Sequence, residues 1–139
     1  MGNKPTLKPK FIFNQESKEE YGECTILNGQ PNGIINFNKS PHKAAYGMLK
    51  TIYSRLWFPS QVNISKDKQN YVKLTTEEKA AFDLVLAQLI TNDSIQTNQL
   101  MDGINRYITS PVVNSLLAGQ AFQEVIHSES YSVMAEERF

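Results

Sequence analysis

At 139 residues the chain has the length of one domain, and its 40% hydrophobic and 20% charged residues place it among ordinary soluble globular sequences. Fourteen basic and fourteen acidic side chains cancel, so no long-range field favours nucleic acid or an anionic membrane. The single cysteine, Cys24, excludes an internal disulfide framework and any cysteine-rich zinc or iron–sulfur site, and it suits a reducing cytoplasm.

No apolar run approaches the roughly 20 residues that a membrane span needs, and no apolar stretch follows the lysine-rich opening to make a secretory signal. The opening Met1-Gly2-Asn3-Lys4-Pro5-Thr6 matches the loose pattern for N-myristoylation, which needs an acceptor enzyme and a second signal for stable anchoring. No membrane partner is expected.

From Met1 to about Ser40 the chain is rich in Asn, Gly, Pro and Lys. Asn28-Gly29 and Pro31-Asn32-Gly33 predict turns, and Phe11-Ile12-Phe13 an extended stretch, so residues 1–40 read as an irregular arm packed on something larger. Three helical segments follow. Ser40-Pro41 predicts an N-cap hydroxyl and a first-turn proline, opening a segment through Tyr46, Leu49, Ile52, Tyr53 and Leu56 to Trp57, with Pro59 ending it. Thr75 and Glu78 form a capping box ahead of a helix of about two dozen residues carrying Phe82, Leu86, Leu89, Asp93, Ile95 and Leu100. Ser110-Pro111 repeats the start signal before Val113, Leu116, Leu117, Ala121, Glu124, His127, Tyr131 and Met134. Helices of this length suit a bundle.

Asp93 interrupts an apolar stripe. Phe82, Leu86, Leu89, Asp93, Gln96 and Leu100 advance by three or four residues and share one helical face, so an acid stands where the core should be. A buried carboxylate must be protonated, paired or bound to a cation, although an aspartate at the stripe's edge can also reach solvent. Glu124 and His127 form Glu-x-x-His across one turn, with Cβ atoms about 5 to 6 Å apart, so carboxylate and imidazole can share one metal ion. Two-metal bundles contribute this unit from each of two helices. Alone, the pattern also describes a surface glutamate near a satisfied histidine. Tyr131 lies on the same face two turns beyond Glu124, where a core tyrosine is the plainer reading. Trp57, the one tryptophan, also suits a bulky plug at a helix end. Cys24, His42 and Glu19-Glu20-Tyr21 make no constellation by sequence.

Leu56-Trp57-Phe58-Pro59, Asn92-Asp93-Ser94-Ile95-Gln96 and Glu124-Val125-Ile126-His127-Ser128-Glu129-Ser130-Tyr131 together resemble the class I ribonucleotide reductase small subunit in order and separation, over residues 45–136. The resemblance implies an all-α, ferritin-like helical bundle whose N-terminal helices occupy residues 41–139. It implies that Asp93, Glu124 and His127 are metal ligands for two iron or manganese ions. Tyr131 matches the tyrosine oxidised to a stable radical, and Trp57 the tryptophan that supplies an electron during oxygen activation and begins the path toward the large subunit. Aspartate at 93 and tyrosine at 131 disfavour the subgroup that lacks the radical tyrosine.

The family pattern also needs a second glutamate helix, a second Glu-x-x-His helix and a C-terminal tail that binds the large subunit, none of which precedes Phe139. The ending Glu137-Arg138-Phe139 resembles the family less. The expectation is a C-terminally incomplete, cytoplasmic small subunit that is inactive alone, working with a complementary second half and the large subunit, and homodimeric when complete. The alternatives are a self-pairing two-metal carboxylate oxidase, against which Trp57 and Tyr131 argue, and a non-catalytic remnant or helix-binding module.

Overall fold

A computed structural model describes residues 6–136, so the N-myristoylation pattern at Gly2 and the ending Glu137-Arg138-Phe139 lie outside the described residues. The elements are all helical. They are α1 (Lys43–Ser54), α2 (Asp67–Val72), α3 (Thr76–Asn98) and α4 (Pro111–Glu136), with π-helical turns at Gln99–Ile104 and short 3₁₀ turns at Pro59–Gln61 and Asn105–Tyr107. Among the described residues the only β-pairing is a single antiparallel bridge between Leu27 and Ile108. No described helix is long and apolar enough to cross a membrane.

The chain forms two compact units. One comprises the chain up to Arg55 together with Gln99–Gln120; the other comprises Leu56–Asn98 and the chain from Ala121 onward.

In the first unit the arm is held by single backbone bonds rather than by a ladder. Lys10 N–H donates to the Arg106 carbonyl (2.8 Å), Asn14 N–H to Asn32 (3.1 Å) and Thr109 N–H to Ile26 (2.8 Å). Thr109 fastens the turn as well, donating its hydroxyl to the Thr25 carbonyl (2.9 Å) while accepting from Gly29 N–H (3.1 Å). Both turns expected in the arm form: Asn28 takes φ +57° and Gly33 φ +89°. At Gly33 a side chain would run into the Ile12 carbonyl oxygen, so glycine is required there by conformation and by space.

Helix α1 departs from its expected bounds at both ends. Ser40 spends its hydroxyl on His42 N–H (3.1 Å), making a local turn, and the helix starts at Lys43 with His42 rather than Ser40 at the cap. It stops at Ser54, where Arg55 N–H folds back to the Ile52 carbonyl (3.1 Å). Leu56 and Trp57 therefore follow the helix instead of completing it, and Pro59 opens a 3₁₀ turn. Ala45 and Leu49 are buried, and Leu49 meets α4 at Gly119, where an added Cβ would lie 2.8 Å from Leu49 Cδ1.

In the second unit the capping box forms as the sequence predicts: Thr75 N–H donates to Glu78 Oε2 (2.8 Å) and Glu78 N–H to Thr75 Oγ1 (3.2 Å). The short α2 has no clear sequence signal. It packs through Tyr71, whose hydroxyl donates to Asp83 (3.0 Å) and whose ring meets Phe82 edge-on at 5.9 Å. The expected stripe on α3 is only partly buried. On α3 Leu86 and Asp93 are buried, whereas Phe82, Ile95 and Gln96 are exposed; Leu100, expected on the same stripe, is buried in the π-helical turn of the first unit. The third start signal holds, since Pro111 begins α4 and the Ser110 hydroxyl accepts Val113 N–H at 3.4 Å.

Candidate metal centre

Asp93 comes from the C-terminal part of α3 and Glu124 and His127 from successive turns of α4, all within the second unit. Their donor atoms lie within 4.8 Å of one another. His127 Nδ1 is 3.3 Å from Glu124 Oε2 and 3.8 Å from Asp93 Oδ2. One turn of helix separates Glu124 from His127, and this brings their side chains together as the spacing predicts. Both carboxylates are buried, each at 8% exposure, while His127 is half-buried. These numbers decide the question left open for Asp93: it is an interior residue, not an edge-of-stripe one.

Asp93 Oδ2 is shielded from solvent and has no hydrogen-bond partner. Buried polar atoms nearly always have one, and leaving an acceptor unmet costs about 1 to 3 kcal/mol. The imidazole at 3.8 Å is too far for a hydrogen bond and offsets the charge only if protonated. Two buried carboxylates and a ring nitrogen facing one another, with one oxygen unmet, fit a divalent cation better than they fit each other. Carboxylate and imidazole donors suit iron and manganese, so the residues present match the metal class that the resemblance implies.

Tyr131 lies one turn beyond His127 on α4. Burial raises its phenol above the ordinary pKa of 10.0, and the charges of Asp93 and then Glu124 raise it further, so the ring is close enough to sense both carboxylates. The phenol is neutral at physiological pH and carries a proton that can leave with an electron.

Trp57 reaches the same place from the segment after α1. Its ring stacks on His127 with centroids 6.1 Å apart and planes inclined by 26°. Because Trp57 lies outside a helix, periodicity could not place it; Phe58 after it is extended (φ −126°, ψ 152°). All five residues singled out by sequence thus gather in one unit. Sequence reasoning missed the direct stacking of Trp57 on His127, since no spacing rule connects residues 57 and 127.

A profile of the family described as "Ribonucleotide reductase, small chain" matches residues 34–138. The chain is 34% identical over 136 residues to the ribonucleoside-diphosphate reductase subunit beta of Treponema pallidum, covering 98% of this chain and 38% of that protein. Against the subunit beta of Aquifex aeolicus it is 32% identical over 135 residues, covering 96% of this chain and 19% of the relative. The solved ribonucleotide reductase R2 subunit from Clostridium botulinum superposes with a TM-score of 0.88 at 32% identity, covering 97% of this chain and 42% of that one. The chain therefore spans well under half the length of these relatives, and its helices are those of a ferritin-like fold. On the family match, the sequence identity and the superposition together, this chain belongs to the ribonucleotide reductase small-chain family.

Proposed function

We propose that the chain acts as part of the small subunit of ribonucleoside-diphosphate reductase, an oxidoreductase that generates a tyrosyl radical for deoxyribonucleotide synthesis. The convergence of Asp93, Glu124 and His127 donors within 4.8 Å, in the unit that also holds Tyr131 and Trp57, carries this reading. In this reading residues 1–40 are an arm and residues 41–139 the N-terminal helices of the ferritin-like domain. The setting is cytoplasmic, with no nucleic acid or membrane partner.

Asp93, Glu124 and His127 would hold metal, with His127 presenting Nδ1. When bound, a pair of iron or manganese ions supplies the oxidising power drawn from dioxygen. The two carboxylates bring negative charge that offsets the cations, and their burial strengthens that attraction. Tyr131, itself half-buried and holding its phenolic proton, would be the side chain that carries the radical when the site is loaded. Trp57, stacked on His127, would be the residue through which an electron reaches the loaded site and from which a path toward the large subunit begins.

Two ions with four to six ligands each need more donors than these three residues offer. The others come from further groups of the small subunit, a complementary half carrying a second glutamate and a second Glu-x-x-His helix, and the complete subunit pairs as a homodimer.

Titration with ferrous iron or manganese under anaerobic conditions tests the arrangement. The chain alone should bind metal weakly, and a chain carrying the complementary half should raise the stoichiometry to two ions per site. His127→Ala should abolish the gain. Two tightly bound ions in the chain alone would contradict the half-site, and no gain with a folded complementary half would contradict the proposed function.

A further inference from the structure

Trp57 stands against the candidate centre without a helix or strand to hold it. Its ring stacks on His127 with centroids 6.1 Å apart, yet the residue lies in no regular element. Trp57 and the Phe58 that follows it are 38% and 40% exposed, so packing covers neither ring fully.

The backbone beside Trp57 is fixed instead by one residue of the same unit. Gln61 Oε1 accepts Phe58 N–H at 2.9 Å, and Gln61 N–H donates to the Phe58 carbonyl at 2.9 Å. Both backbone polar groups of Phe58 are therefore held by Gln61. Pro59, whose ring restricts φ, comes between them, and Val62 N–H donates to the Pro59 carbonyl at 3.0 Å.

The hold on Phe58 N–H reaches Trp57 through covalent geometry. That N–H lies in one planar peptide with the Trp57 carbonyl and Cα, so fixing its direction fixes the point from which the indole springs. The rotation that remains is set by the stack on His127. The backbone bonds from Gln61 to Phe58 and from Val62 to Pro59 close the 3₁₀ turn without any side chain. What the Gln61 carboxamide adds is a partner for the one N–H that belongs to the Trp57 peptide.

We propose that Gln61 is a positioning residue for Trp57: its side chain clamps the Trp57–Phe58 peptide and so keeps the indole seated on His127. On the function proposed above, from which this role takes its meaning, the seat is where an electron passes through Trp57 to the loaded site. Gln61 touches neither the metal ligands nor the phenol and acts through Trp57 alone.

Trp57 is the chain's one tryptophan, so its fluorescence reports this place and no other. Time-resolved anisotropy of the metal-free full chain reads the freedom of the ring. Gln61→Met keeps the length and loses the carbonyl acceptor; Gln61→Glu keeps an acceptor. Gln61 is exposed, so the fold tolerates either change, and circular dichroism checks that it does. Losing one such hydrogen bond shifts an open-to-closed balance about twofold to tenfold, so the amplitude of fast ring motion should rise about twofold or more in Gln61→Met. It should return to the wild-type value in Gln61→Glu at neutral pH, and His127→Ala should loosen the ring as well. Wild-type ring motion in a helical Gln61→Met chain would overturn the proposal. Equal loosening in Gln61→Met and Gln61→Glu would do the same, since the acceptor would then not be what holds the ring, as would an unchanged ring in His127→Ala. None of these measurements needs metal, oxygen or a partner. A missing radical in the loaded subunit therefore counts against the proposed function and not the seat, whereas a ring indifferent to Gln61→Met counts against the seat and not that function.

Discussion

A buried carboxylate oxygen with no hydrogen-bond partner costs a folded chain about 1 to 3 kcal/mol, and Asp93 Oδ2 is such an atom. Replacing it by an apolar residue removes that cost. Asp93→Leu should raise the metal-free unfolding free energy by about 1 kcal/mol in urea titration while abolishing metal binding. A destabilised, metal-binding variant would place Asp93 in a purely structural role. Tyr131 makes a prediction of opposite sense. Its folded-state pKa is raised above the ordinary 10.0, by burial first and then by Asp93 and Glu124. As pH climbs past 10 the unfolded chain loses that proton before the folded chain does, so the unfolded state binds fewer protons and stability falls with rising pH. Below pH 10 the stabilisation is fully present. In Tyr131→Phe the alkaline decline in melting temperature should be shallower, and an unchanged decline would show that the phenol does not contribute to it.

At the scale of elements, what could be read from sequence depended on whether a residue's neighbours lay within a turn of it. The Thr75 and Glu78 box, the Ser110-Pro111 start and the pairing of Glu124 with His127 all follow from spacing of three or four residues, and all form. The start of α1 did not follow, because Ser40 used its hydroxyl in a local turn before the helix began. The face of α3 was legible only at Leu86 and Asp93. That helix is apolar around much of its circumference, with Leu84 71% and Val85 56% exposed beside buried Leu86, so periodicity selects no single face. The consequence is testable by substitution. Leu86→Ala should cost about 2 to 5 kcal/mol, whereas Leu84→Ala should cost under about 0.5 kcal/mol. Equal costs in chemical denaturation would mean that both positions are packed in solution.

For the whole molecule, the arm and the joined site show the limit of pattern reading. Thr109 reaches the Thr25 carbonyl across 84 positions, and Trp57 stacks on His127 across 70, contacts that no local rule specifies. The five residues could nonetheless be singled out together, because their motifs resemble in order and separation those of the family whose profile matches residues 34–138. Each motif alone had a plain reading as core or surface; together they place two carboxylates, an imidazole, a phenol and an indole in one compact unit. The chain's share of 38% of the Treponema pallidum relative makes the activity of the complete subunit the object to be tested.

Electron paramagnetic resonance after reconstitution is the most direct test. The chain, supplied with the further ligand-bearing helices proposed for the small subunit, would be loaded with ferrous iron, exposed to oxygen and frozen, with ring-deuterated tyrosine in a parallel sample. The account predicts a radical signal whose hyperfine structure collapses on deuteration and which vanishes in Tyr131→Phe while metal stoichiometry is retained. A radical of the same shape in Tyr131→Phe, or full metal loading with no radical in the wild type, would contradict it.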